Sequence, residues 1–428
     1  MTRVAVFGMG YVGCVTAACL ARDGHEIVGV DVDAAKVDRI NRGDPPVSEP
    51  GLAEILGQVV KQGRLRATTN VNEAIDGTSL ALIAVGTPST DSGAANTEHV
   101  ERVVQSIGSR LRAAPRDYTV VMRSTLLTGI LEDRLVPILD AAAGPEARAR
   151  IRVCNNPEFL RESSAIRDYD QPPFIVVGAQ NAAEAQLVFD LYEGIEAERI
   201  VTTTRTAALV KYACNAFHAL KVAFANEIGA LAGSLAADGH EVMRLVCRDT
   251  KLNISTAYLR PGFAFGGSCL PKDLRALVRH AAESSLQLPL LPAVLASNEC
   301  QLRRAVRLIE QSGKRRVGLV GLSFKANTDD LRESPQVMLA EILHGRGFEL
   351  RIFDPNIQLT RLHGRNLAYV DQHLPHLAKL LIDSPEELCG HSELLVLGTD
   401  VADGFDWKGT SHARILDLRH DLAMPTVR

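Results

Sequence analysis

Excess positive charge is missing from this sequence. Its 428 residues carry 47 Lys+Arg against 51 Asp+Glu, a formal net charge of −4, with no long basic run. The electrostatic footprint of a nucleic-acid binder is therefore absent. An acidic or phosphorylated small ligand would have to be met by local cations. No apolar run reaches the roughly 18 residues of a membrane-spanning helix. The opening stretch "MTRVAVFGMGYVG" lacks the charged, apolar and small-residue regions of a secretory signal. Paired cysteines are missing too. The 8 cysteines, at positions 14, 19, 154, 214, 247, 269, 300 and 389, form no CxxC and no Cys/His metal spacing. A cytoplasmic chain with reduced, mostly buried cysteines is expected, with no metal, no nucleic acid and no membrane partner.

What is present is an ordinary globular balance, 46% hydrophobic and 23% charged, long enough for two to four domains at roughly 100–200 residues each. The run "RVAVFGMGYVGCVTAACLARDGHEIVGVDVD" reads as strand, glycine turn, helix and strand. Val4 to Phe7 is a short continuous apolar strand of the parallel-sheet kind. Gly8, Gly10 and Gly13 form G-x-G-x-x-G where the helix opens, and Asp31 closes the next strand. In that setting the motif predicts a dinucleotide: the glycines admit a pyrophosphate to the helix N-terminus. Asp31 would accept from the adenosine ribose hydroxyls, which favours NAD over NADP.

Further apolar strands are expected in "SLALIAVGTPS" and "YTVVMRSTLL". Thr87 and Thr125 lie just past them, where open α/β sheets place ligands, although both residues also suit turns and caps. From about Thr206 to Ala237 the spacing predicts one long helix. Lys211, Asn215, His218 and Asn226 fall within roughly 80° of its circumference, either as a solvated face or as the edge of a substrate cleft. The helix is too apolar to lie free, so a homodimer or a dimer of dimers is expected. The last third repeats the opening: "KRRVGLVGLSFKANTDDLRESP" then "LHGRGFELRIFDPN". Gly347 and Asp354 keep the spacing of Gly24 and Asp31, but the third glycine of the turn is gone. Lys325 and Arg332 in that turn suit a phosphate contact or ordinary ion pairs. The expected fold class is α/β, with two Rossmann-like doubly wound domains, 1–200 and 301–428, joined by a central helical region, 201–300.

In "GFAFGGSCLPKD", Cys269 is set among glycines, with Lys272 behind it. A thiol has a use in a dinucleotide enzyme when the product is a carboxylate. It can add to an aldehyde, and the thiohemiacetal can be oxidised to a thioester that water hydrolyses. The glycines let backbone N–H groups approach the oxyanion, and Lys272 favours the thiolate. An inert buried cysteine is the plain alternative.

Taken in order, "FGMGYVG", "VGTPS", "RSTLLTG", "NNPEFLRESSAIRDY", "KYACNAFHALKVAFANEIG", "RPGFAFGGSCLPKDLRAL" and "GLSFKANTDDLRESP" resemble the UDP-glucose/GDP-mannose dehydrogenase family over nearly the whole chain. "CLPKD", His218 and "FLRESSAIRDYD" resemble the branch acting on GDP-mannose. "TAYLRPGF" departs from it, with Ala257 where that branch has the first of two tyrosines. The resemblance implies an NAD-dependent four-electron oxidation of C6, yielding GDP-mannuronate and two NADH and feeding a mannuronate polymer such as alginate. It makes Cys269 the nucleophile, with Lys211 and Asn215 steadying the C6 oxygen. Glu158 and Asp273 would move protons or activate water, and Thr125 would lie beside the cofactor. Implied cofactor contacts are Tyr11, Val12, Asp31, Lys36, Thr87 and Thr125, with Lys272 and Arg332. Implied substrate contacts are Glu162, Lys211, Asn215, His218 and Asn226, continuing through Tyr258, Arg260, Phe263, Gly266 and Lys325. A UDP-sugar dehydrogenase acting on glucose or N-acetylmannosamine and a non-catalytic NAD-binding scaffold remain as alternatives. A 6-phosphogluconate-type enzyme would have no use for Cys269.

Overall fold

Short apolar runs closed by glycine turns become the strands of two sheets in the computed structural model. It describes residues 1–88, 96–161, 163–255, 262–267, 270–324, 330–357, 364–407 and 413–419. The chain divides into two compact units, Met1–His218 and Ala219–Arg428.

The first unit is built on β1 (Arg3–Phe7), β2 (Glu26–Val30), β3 (Leu65–Thr68), β4 (Leu80–Ile83), β5 (Tyr118–Met122), β6 (Ile151–Asn155), β7 (Phe174–Gly178) and β8 (Glu198–Thr202). Their order is β3-β2-β1-β4-β5-β6-β7-β8. The first six strands pair parallel, in the doubly wound order whose cleft lies where the winding reverses, between β1 and β4. The last two strands pair parallel with each other, and β7 meets β6 antiparallel. Every residue of β1 after Arg3 is buried because both faces are covered. Val4 and Val6 belong to one apolar cluster, Ala5 and Phe7 to another, as the two-residue period of a strand requires.

The glycine turn is sterically enforced. Gly8 has φ +90°, and a Cβ on Gly13 would stand 1.8 Å from the Gly8 carbonyl oxygen. No side chain fits where the first helix, Tyr11–Arg22, crosses the turn.

The second unit carries β9 (Arg316–Val320), β10 (Glu349–Phe353), β11 (Leu394–Leu397) and β12 (Arg414–Asp417), in the order β10-β9-β11-β12 with all pairs parallel. Leu394 and Val396 face one apolar cluster, Leu395 and Leu397 the other. The two sheets with a helical stretch between them in sequence are the expected fold class. The long helix runs Thr204–Ser234, and the division between units falls within it. It stops short of the expected Ala237 because Ala236 turns left-handed, φ +56°, and the Ala237 N–H closes back on the Ala232 carbonyl at 2.8 Å, a C-terminal capping turn.

Candidate active site

The carboxyl ends of β1, β2, β4 and β5 hold the residues expected to meet the dinucleotide. Gly10 caps the first helix with no side-chain cap bond, and nothing lies within 4 Å of a Cβ built there. That open approach suits an anion against the helix N-terminus. Tyr11 and Val12 follow as its first residues. The Asp31 carboxylate accepts from the Met9 N–H at 2.9 Å and the Asp33 N–H at 3.0 Å, with Lys36 Nζ at 3.6 Å. Two backbone donors leave part of its capacity of about four acceptor sites for ribose hydroxyls. Thr87 and Thr125 come together, the Thr87 hydroxyl donating to the Thr125 carbonyl at 3.0 Å. Ser124 Oγ likewise donates to the Val85 carbonyl at 2.7 Å. These residues fit a bound dinucleotide: open backbone for the pyrophosphate and a carboxylate, with Lys36 beside it, for the ribose.

Past the end of β6 lies an ion pair that burial makes consequential. Lys211 Nζ donates to Glu158 Oε1 at 3.0 Å, and each residue is only 8% exposed. The other carboxylate oxygen accepts the Leu160 N–H at 2.6 Å, and the ammonium stands 5.6 Å from the Phe159 ring centre. Removing either partner would strand a charge away from water. The segment beneath is fixed by Asn155, which donates to the Thr204 carbonyl at 3.2 Å, and Asn156, which donates to the Val176 carbonyl at 3.0 Å. Asn156 Oδ1 also accepts from Arg123 Nη1 and the Tyr192 hydroxyl, both at 2.8 Å. Arg123 holds this segment from 6% exposure, and among the described residues its Nε has no partner. Asn215, one turn beyond Lys211, is exposed, as is His218.

In the second unit, Lys272 and Asp273 form an exposed ion pair at 2.7 Å on the first turn of the helix Leu270–Glu283. The Arg332 guanidinium forks onto Asp330 at 2.9 and 2.7 Å, and that bond holds the Asp330 carboxyl below its usual range. Arg332 thus already faces a local carboxylate. Gly266 is tightly enclosed, since a Cβ there would lie 2.3 Å from the Glu333 carbonyl oxygen. Phe263 packs on the apolar core of this unit, and Asn226 is exposed. Glu162, Tyr258, Arg260, Cys269 and Lys325 lie outside the described residues. Sequence reading passed over Arg123, Asn156 and Tyr192. A lone cation directly after the apolar run "TVVM" was the available signal for Arg123. It also passed over Glu49, in "SEPG", where no periodicity marks a buried carboxylate.

Comparison with known proteins matches this architecture segment by segment. Residues 2–196 match the NAD binding domain of the UDP-glucose/GDP-mannose dehydrogenase family, 205–300 its central domain and 318–421 its UDP binding domain. The GDP-mannose 6-dehydrogenase of Pseudomonas putida is 48% identical over 92% of this chain and 90% of its own length. That of Azotobacter vinelandii is 47% identical, covering 92% and 91%. A crystal structure of a ternary complex of GDP-mannose dehydrogenase from Pseudomonas aeruginosa superposes with a TM-score of 0.92 at 44% identity, covering 97% of this chain and 96% of that one. The chain belongs to the UDP-glucose/GDP-mannose dehydrogenase family, and its cofactor is NAD.

Proposed function

We propose that this NAD-dependent nucleotide-sugar dehydrogenase oxidises the C6 hydroxyl of GDP-mannose to the carboxylate of GDP-mannuronate. One Cys269 nucleophile serves and two NAD are reduced per turnover. The observation that carries the reading is the buried Lys211–Glu158 pair, an acid–base couple where an ordinary structural ion pair would cost more than it returns. The similarity to GDP-mannose dehydrogenases supports the sugar. Bound NAD supplies a two-electron acceptor for each oxidation. Glu158 takes the C6 hydroxyl proton while Lys211 and Asn215 donate hydrogen bonds to the oxygen. The Cys269 thiolate adds to the aldehyde carbon, and the same donors hold the thiohemiacetal oxygen. The second oxidation leaves a thioester. Water then adds to it, giving its proton to Glu158 or Asp273, and the carboxylate departs as the C–S bond breaks. The three-part division 1–200, 201–300 and 301–428 belongs to this proposal. So does a homodimer through the long helix, on which Leu209, Phe217, Leu220 and Phe224 are 53%, 40%, 47% and 37% exposed.

The test is NADH yield from limiting GDP-mannose, UDP-glucose or UDP-N-acetylmannosamine with excess NAD. Two NADH per GDP-mannose, with little from the others, is expected. Turnover of a UDP-sugar would keep the chemistry and overturn the substrate, and silence with all three would favour a scaffold. Cys269→Ser should form no sugar acid, and normal NADH production by that variant would remove the nucleophile assignment.

A further inference from the structure

Glu49 is a second buried carboxylate in the first unit, 8% exposed, and no step above uses it. It sits in neither a strand nor a helix, two residues before Gly51 caps the helix Leu52–Lys61. Its oxygens collect donors from two distant stretches of chain. Oε2 accepts the Tyr11 hydroxyl in a short hydrogen bond and the Ser163 N–H at 2.8 Å. Oε1 accepts the Ala165 N–H at 2.8 Å. The Ser163 N–H is shared with the Tyr11 oxygen, 3.2 Å away. Ser163 carries φ +67°, a conformation that a non-glycine residue keeps only when its surroundings hold it.

The two stretches joined here have different tasks. Tyr11 is the first residue of the helix after Gly10, on the dinucleotide turn. Ser163 follows Glu162 and lies a few residues beyond Glu158, on the stretch read above as part of the nucleotide-sugar site. Arg161, on the other side of Glu162, is independently anchored: its backbone N–H and its guanidinium both bond Asp168, at 3.0 and 2.6 Å. Asp168 therefore holds Arg161 and also Ser164, whose hydroxyl donates to it at 3.1 Å, while Glu49 holds the Ser163 and Ala165 N–H groups and ties them to the cofactor turn through Tyr11.

We propose that Glu49 is a positioning residue that couples the two ligands. Cofactor fixes Tyr11, Tyr11 holds the Glu49 carboxylate, and the carboxylate holds residues 163 to 165 in the geometry the sugar nucleotide meets. The proposal rests on residues 158–165 serving the nucleotide-sugar site. Coupling of this kind is reciprocal, so sugar nucleotide tightens NAD to the same degree.

The test is hydrogen–deuterium exchange over residues 157–165, with and without NADH, in the full-length protein. NADH should slow exchange of the Ser163 and Ala165 amides about ten-fold in the wild type, within the range of ordinary coupling. Glu49→Gln should bind NADH yet show little slowing, because an amide group cannot accept at both ends. Tyr11→Phe guards against a folding artefact: it leaves both backbone bonds to Glu49 intact and removes only the Tyr11 hydroxyl, with its bonds to Glu49 and to the Ser163 N–H. It too should lose the NADH effect. At saturating NAD it should raise the KM for sugar nucleotide about five-fold, an effect that simple loss of folded protein, which lowers only the apparent kcat, would not give. NADH protection equal to wild type in both variants would overturn the proposal. Failure of the GDP-mannose reading would appear instead as absent NADH production, with the exchange result still decisive.

Discussion

Asp31 and Asp354 occupy the same place in the two α/β units, each closing the second strand after a glycine turn, yet their carboxylates are engaged differently. Asp31 accepts two backbone N–H groups, from Met9 and Asp33. Asp354 is 4% exposed and accepts from the Leu322 N–H at 2.8 Å, the Ser323 N–H at 3.3 Å, the Ser323 hydroxyl at 3.4 Å and the Asn356 N–H at 3.0 Å. Four donors fill a carboxylate. In both units the aspartate clamps the turn; only in the first is there acceptor capacity left for a ribose. The turns diverge to match. The first runs straight into a helix at Tyr11. In the second, among the described residues, the next helix begins only at Pro335, and Leu322 to Phe324, directly behind the glycine, open no helix N-terminus. A strand-turn-aspartate pattern therefore marks the fold, and the unspent acceptors mark the cofactor site.

The largest effect should come from breaking the filled clamp. Asp354→Asn replaces an oxygen that faces N–H donors with an NH2 group, in a site closed to water. It should destabilise the second unit by about 2–4 kcal/mol, the range for leaving charge-assisted donors unpaired. The chain's single tryptophan, Trp407, is 4% exposed in the core of that unit, so its fluorescence reports this unfolding selectively. NADH affinity should stay near wild type. If Trp407 unfolds no earlier than in Asp31→Asn, the difference between the two clamps is wrong.

Asp31→Asn should act on ligand more than on fold. Losing charged acceptors to the ribose hydroxyls should weaken NAD about ten- to hundred-fold, corresponding to roughly 1.5–3 kcal/mol for such bonds. The sugar nucleotide, titrated alone, should bind almost as before. Equal weakening of both ligands would show that Asp31 supports the unit as Asp354 does, and that the comparison holds no functional content.

This difference marks where sequence stopped being informative. The repeat of Gly24–Asp31 in Gly347–Asp354 was legible because a glycine stop and a strand-closing acid are local features. β1, β2, β9 and β10 followed from four- and five-residue apolar runs for the same reason. How many donors converge on each aspartate was not legible, since Ser323 and Asn356 reach Asp354 only after the turn is folded. The site divides along the same line. Gly8, Gly10, Gly13 and Asp31 are a spacing, whereas the Lys211–Glu158 pair joins residues 53 positions apart. Glu158 entered through resemblance alone. Glu49 had neither signal, because its partners Tyr11, Ser163 and Ala165 come from separate segments.

The smallest expected effect tests the comparison one residue after each glycine stop, where the first unit has His25 and the second has Phe348, both 7% exposed. His25 Nδ1 accepts the Thr2 N–H at 3.2 Å, which only an unprotonated nitrogen does. Burial lowers its pKa from the ordinary 6.5, and the nearby amino terminus lowers it further. The unfolded chain therefore binds the proton more readily than the folded one. The stability that neutral His25 contributes is fully present above pH 6.5 and is lost as pH falls through the depressed folded value. Phe348 gives the second unit no such dependence. Between neutral and mildly acidic pH, the first unit should lose about 1–2 °C in Tm beyond any change in the Trp407 transition, a shift within ordinary single-site effects. His25→Phe should flatten that extra loss, and a pH slope unchanged in His25→Phe would assign it to other groups. Because Phe348 already shows that an aromatic hydrocarbon fills this position, the substitution separates the proton from the packing, which removal of the side chain would not.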